Sequence, residues 1–228
     1  MRLAFRLLLL TGLLAGCGKD SEKSAVTRAY PDLQASLEDA RRESSKWLGD
    51  DGARARAVWD HVDGSAVWTA TTLQELARSR ATFESARDLE DFCPGYAGAT
   101  PFQKDTCWLR LFSAMARFES ELKPAATYLE ATGTTSVGLL MMNPAHCLVA
   151  NTLEKLQDPV LNIRCALHRF DVLAARDGWI SGPGNSGAAA YWSVLRDPYQ
   201  VGALCLGRKP HIQLFTRSYR GFREPLAP

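Results

Sequence analysis

The sequence predicts a mainly α, α+β fold: a helical bundle gathered around one apolar helix, a small antiparallel β-sheet and an N-terminal helical extension. Three observations predict it. Apolar residues recur every three to four positions within residues 31–91, 104–121 and 159–170. Two short runs, Tyr128-Leu129-Glu130 and Ser136 to Leu140, flank a turn through Gly133 and have the length of strands. Breaks at Asp50-Asp51-Gly52, Pro124, Asn143-Pro144 and Asp158-Pro159 separate the segments.

The chain opens with Arg2 and Arg6, followed by an uncharged, Leu-rich run from Leu7 to Gly16. A bilayer-spanning helix takes about 20 apolar residues, so residues 1–16 are expected to be an export signal. The run ends Leu14-Ala15-Gly16-Cys17, which resembles a lipobox. Cys17 is therefore the expected site of lipidation; the alternative is an ordinary signal in which Cys17 is incidental. Gly18 replaces the Asp that favours inner-membrane retention in such lipoproteins, which implies an outer-membrane anchor facing the periplasm. Residues 17–30 are mostly charged, polar or small and are expected to be a flexible tether.

Charge narrows the partners. Lys and Arg number 27 against 25 Asp and Glu, a net charge of +2 that falls to about zero without Arg2 and Arg6. No basic run remains, so nucleic acid is excluded as an expected partner. An exported chain meets an oxidising compartment, so disulfides are expected among Cys93, Cys107, Cys147, Cys165 and Cys205. Short loop lengths favour Cys93–Cys107 and Cys147–Cys165, with Cys205 left free. A zinc site from His146, Cys147, Cys165 and His168 is the alternative, weakened by the adjacent His146-Cys147 pair.

Residues 31–91 read as an extension of successive helices. Leu33, Leu37, Ala40 and Trp47 share one helical face, a second helix is expected over Ala53–Val62, and a third from about Thr71 towards Leu89. Trp47, Trp59 and Trp68 read as core contacts, with sugar platforms as the other reading. Residues 92–228 are expected to form the main domain. Its most informative segment is a helix from about Lys104 to Glu121. Trp108, Phe112 and Met115 define its apolar face, and the next member of that series is Glu119. Burial and the negative end of the helix dipole both raise a carboxyl pKa there, and a carboxyl that stays protonated near neutral pH can act as a general acid. The structural alternative is an ion pair with Arg117 or Arg164. Beyond the strands, a further helix is expected from Pro159, with Leu161, Ile163, Leu167 and Phe170 as its apolar positions. Residues 181–187 form a Gly-rich loop without the Gly-Lys-Ser/Thr ending of a phosphate loop, and the C-terminal segments are weakly patterned.

The order of motifs carries a resemblance. Phe112-Ser113-Ala114-Met115-Ala116-Arg117-Phe118-Glu119-Ser120 resembles the catalytic helix of the lysozyme-like (goose-lysozyme-like) lytic transglycosylases, which ends in Glu-Ser. Ser136-Val137-Gly138-Leu139-Leu140-Met141-Met142-Asn143-Pro144 is similar to their Gly-Leu-Met-Gln-x-x-Pro strand and turn. Asp158-Pro159-Val160-Leu161-Asn162-Ile163 matches Asp-Pro-x-x-Asn-Ile, and Ala190-Tyr191-Trp192 stands where they have Ala-Tyr-Asn. The likeness spans roughly residues 104–200. It departs at Met141, where the family has a sugar-contacting Gln, at Ala166 and Arg169, where it often has Gly and Tyr, and at Trp192, where it has Asn.

The resemblance implies peptidoglycan glycan strands as substrate, cut between N-acetylmuramic acid and N-acetylglucosamine. Glu119 would be the acid and then the base that draws a proton from the C6 hydroxyl, closing a 1,6-anhydro ring. Ser136 and the Gly138 turn would shape the sugar site, with Met141 beside it. Tyr191 would orient Glu119 or the substrate, and Asn162 would hold the helix start. No metal or cofactor is implied, and the chain is expected to act as a monomer. Two alternatives stay open. A hydrolysing muramidase needs a second carboxylate, for which Glu130 is the candidate, its other reading being a solvent-exposed strand end. A non-catalytic peptidoglycan-binding lipoprotein would fit the departures at Met141 and Trp192.

Overall fold

The structure is a computed structural model that describes residues 57–131, 133–201 and 204–217. The export signal, Cys17, the tether, Trp47 and the first expected helix lie outside the described residues. The fold is the expected α+β, lysozyme-like one: helices around a central buried helix, with a two-stranded antiparallel sheet beside them.

Helix α1, Ala66–Glu84, is followed by a short α2, Leu89–Phe92. The central helix α3, Pro101–Ser120, begins at a capping box: Thr100 Oγ1 accepts from the Gln103 N–H, and Gln103 Oε1 accepts from the Thr100 N–H at 2.7 Å. Pro101 sits in its first turn, where no N–H is needed. Strands β1, Thr127–Leu129, and β2, Thr135–Val137, pair in the register Thr127↔Val137, Tyr128↔Ser136 and Leu129↔Thr135. The short helix α4, Leu153–Leu156, leads into α5, Pro159–Asp177. Asp158 Oδ1 caps α5 by accepting from the Val160 and Leu161 N–H groups, and Gly178 ends it in the left-handed conformation at φ 72°.

The core is aromatic. Phe83 of α1 packs on Trp108 of α3 at 4.9 Å and on Phe170 of α5 at 5.0 Å, and Phe112 meets Phe170 at 5.1 Å. Helix α1 therefore shares its core with the main domain. Trp59 and Trp68 are buried and meet edge to face at 5.8 Å, which is the core role expected of them. Disulfides join Cys93 to Cys107 and Cys147 to Cys165 as expected. The second consumes the thiols of the alternative zinc set. The side chain of Cys205 lies outside the description.

Three local expectations fail for physical reasons. Residues 57–62 of the helix expected over Ala53–Val62 form turns, because side chains take their backbone donors: the Ala57 N–H goes to Asp60 Oδ2 and the Val58 N–H to Ser113 Oγ, both at 2.8 Å. Helix α1 stops short of Leu89. Beyond it, the buried Asp88 carboxylate accepts from the Ile180 and Ser181 N–H groups at 2.8 and 2.7 Å, which anchors this stretch to the far side of α5. The weakly patterned C-terminal segments fold as a second hairpin, β3 (Tyr199–Val201) and β4 (Leu204–Leu206), and a helix α6, Lys209–Arg217. Helix α6 packs against α3, and Arg110 Nε donates to the Phe215 carbonyl at 2.8 Å.

Candidate active site

Glu119 lies in the last turn of α3. The helix ends directly after it, because Glu121 and Leu122 both adopt left-handed backbone, at φ 53° and 63°. Neither is glycine, so this end stores strain of the kind that gathers at functional sites. The Leu122 N–H reaches back to the Ala116 carbonyl at 3.4 Å and the Glu121 N–H to that of Arg117 at 3.2 Å, closing the helix end. Ser120 faces inward, and its hydroxyl donates to the carbonyls of Ala116 at 3.0 Å and Leu139 at 2.9 Å. The Glu-Ser pair thus has two jobs: one residue carries the carboxyl, the next ties the helix end to the turn after β2.

That turn, residues 137–143, is where the other motifs converge. Gly138 takes φ +86°, and a Cβ there would collide with the Asn162 side chain and the Leu156 carbonyl. Asn162 is fully buried. Its Nδ2 donates to the Val137 carbonyl at 2.8 Å and the Leu156 carbonyl at 3.0 Å, while its Oδ1 accepts from the Leu140 N–H at 2.9 Å. It holds the turn rather than the start of α5, which Asp158 caps. Trp192 Nε1 donates to the Leu140 carbonyl at 2.8 Å. The Tyr191 hydroxyl accepts from the Asn143 N–H at 2.8 Å and donates to the Met141 carbonyl at 3.3 Å. Met141, in left-handed backbone at φ 46°, is half-buried. Ser120, Asn162, Tyr191 and Trp192 therefore bind six backbone groups of one turn from three directions.

Glu130 follows β1. Its Oε1 accepts a 2.8 Å hydrogen bond from the hydroxyl of Ser136 on β2. Ser136 is buried, so its role is to hold this carboxylate across the hairpin. Glu130 is half-buried rather than a solvent-exposed strand end.

Electrostatics unite these residues. Burial, and then the negative charge of Glu130, push the Glu119 carboxyl up to about 8, against the pull of Arg196. Glu119 is only half-buried by its exposed surface, so a densely packed carboxyl still opens to solvent. Burial raises Tyr191 to about 12; the Asn143 N–H opposes this, and Glu119 and Glu130 add to it. Glu119 and Tyr191 thus both feel the Glu130 charge. Arg164, one partner of the structural alternative for Glu119, instead pairs with Glu75 of α1 at 3.3 Å. Arg196, which sequence reasoning passed over, is the cation that acts on Glu119, and its Nε donates to the Ala189 carbonyl at 2.9 Å. Nothing in its local sequence marks it, since the approach comes from the fold of residues 187–195. His146 meets the Tyr191 ring edge-on at 5.4 Å. Burial and the charge of Arg169 lower its pKa and favour a neutral ring.

No family model matches the sequence, and no curated protein does. Among solved structures the chain is similar to Bd0314 DslA from Bdellovibrio. Its wild-type form is 28% identical, with 64% of this chain and 90% of that chain covered at a TM-score of 0.57. A variant with one glutamate replaced by glutamine is 26% identical, with 72% and 96% covered at a TM-score of 0.60. A variant with a different glutamate so replaced is 27% identical, with 64% and 88% covered at a TM-score of 0.54.

Proposed function

We propose that this chain cleaves the bond between N-acetylmuramic acid and N-acetylglucosamine in peptidoglycan, with Glu119 as the general acid. One observation carries the reading: a carboxyl with its pKa raised to about 8, open to solvent at a strained helix end and facing a second carboxylate. Such a group holds its proton at neutral pH and can deliver it to a leaving oxygen. Tyr191, bound to the turn by two hydrogen bonds, supports the far side of the site.

The motif resemblance favours lytic transglycosylation, in which Glu119 alone acts as acid and base. Glu130 favours hydrolysis. Ser136 orients it, its charge reaches Glu119, and a second carboxylate is what water activation or a glycosyl-enzyme requires. The spacing adds to this: the two glutamates replaced in the DslA variants lie eleven positions apart, as do Glu119 and Glu130. We take hydrolysis as the reading the geometry supports and transglycosylation as its rival. On this view the lipobox at Cys17 would tether the enzyme to the outer membrane, beside its substrate.

Mass spectrometry of digested sacculi separates the readings. Reducing muramic acid ends and loss of at least a hundredfold in rate for both Glu119→Gln and Glu130→Gln mean hydrolysis. Anhydro ends, with Glu130→Gln retaining most activity, mean transglycosylation. Full activity of Glu119→Gln would overturn both. Glycan binding without cleavage would leave the non-catalytic alternative.

A further inference from the structure

Arg169 stands one helical turn beyond Cys165 on α5. Its guanidinium carbon lies 5.5 Å from the centre of the Tyr191 ring. The side chain is half-buried, and its Nε is sealed from solvent without an acceptor. Among the described residues Arg169 makes no ion pair and donates no hydrogen bond. This is an unusual state for a guanidinium, which carries five donors in one plane and loses hydration when covered. Stacking on a ring satisfies its face and leaves its edge for a planar acceptor, and a carboxylate matches that edge with two parallel hydrogen bonds.

The protein's own carboxylates at this site do not supply the acceptor. Glu130 is engaged by Ser136, and Glu119 favours its protonated form. The Arg169 side chain nevertheless lies against the Tyr191 ring. The residue is also a departure from the resembled pattern, which often has Tyr there.

We propose that Arg169 is a specificity-determining residue that binds a carboxylate carried by the substrate beside the bond that is cut. This rests on the proposed action on peptidoglycan. The sugar rings of such a strand are uncharged, and its carboxylates come from two sources: the lactyl group of muramic acid where no peptide is attached, and the peptide stem where one is.

Calorimetric binding to the full chain bearing Glu119→Gln tests this, alone and combined with Arg169→Gln or Arg169→Lys. The probes are peptide-free glycan oligosaccharides, peptide-bearing ones, and each of these with its carboxylates converted to methylamides. Arg169→Gln is expected to weaken binding of the free-carboxylate probes by about tenfold or more, to leave the methylamides unchanged, and to be partly rescued by Lys. Loss on peptide-free strands assigns the lactyl carboxylate, and loss confined to peptide-bearing strands assigns the stem. Equal loss on carboxylate and methylamide probes, or loss on neither, overturns the proposal while leaving the glycan-cleaving reading intact. Failure of the parent to bind any glycan overturns that reading and this one together.

Discussion

At the scale of one residue, the role proposed for Glu119 ties activity to stability through one proton. As the general acid proposed above it would work only while protonated, so the rate is expected to fall about tenfold per pH unit above about 8; a pH–rate profile on sacculi checks this. Folding raises this pKa from 4.5 to about 8, so the folded state binds a proton that the unfolded state gives up. The favourable contribution is complete below about 4.5 and is lost as pH rises through 8. Glu119→Gln, which resembles the protonated form, is expected to match the wild type in acid. Above pH 8 it is expected to be the more stable by on the order of a few kcal/mol, as read by thermal melts across pH. A variant that is catalytically dead yet more stable in alkali would mark the carboxyl as kept for chemistry at a cost to the fold.

At the scale of elements, the site depends on one turn between β2 and the Asn143-Pro144 break. Six of its carbonyl and N–H groups are bound by side chains from α3, α5 and residues 191–192. Asn162 binds three buried backbone groups, of which the Val137 carbonyl also accepts from the Met142 N–H. Asn162→Ala is expected to cost about 3 kcal/mol, since buried groups left without partners lose about 1–3 kcal/mol each and water can reach some of them. Urea denaturation measures the loss. Activity at low temperature, where the fold survives, should fall with it, because Gly138, Met141 and Tyr191 all take their places from this turn.

At the scale of the molecule, α1 is part of what supports the site. Phe83 fills the space between Trp108, Phe112 and Phe170, and Phe170 in turn meets Trp192 at 6.1 Å. The aromatic cluster thus runs from α1 to the residue next to Tyr191. Phe83→Ala is expected to cost about 3–5 kcal/mol, visible as a lowered Tm, although Phe83 lies far along the chain from every motif of the site. Trp192 belongs to the same account. As a departure from the resembled Asn it raised the alternative of a decayed site, but it is 1% exposed, stacked in the core and bonded to the turn. It holds the loop by packing and by a hydrogen bond together.

The sequence by itself determined the α+β class, the central helix with Glu119 at its end, the hairpin, the start of α5 at Pro159 and both disulfide pairs. These rest on local periodicity, stop signals and short loop closure, which a linear reading registers. The turns at residues 57–62 escaped it, because Ser113, distant along the chain, takes one of their backbone donors. So did helix α6, whose partner α3 precedes it by about ninety residues. Only the tertiary structure decided that Ser136 serves Glu130, that Asn162, Tyr191 and Trp192 hold one turn, that Arg196 acts on Glu119 and that Arg169 lies on the Tyr191 ring. Each of these depends on an approach between segments far apart in the chain, set by packing against a shared core, and no pattern within either segment encodes it.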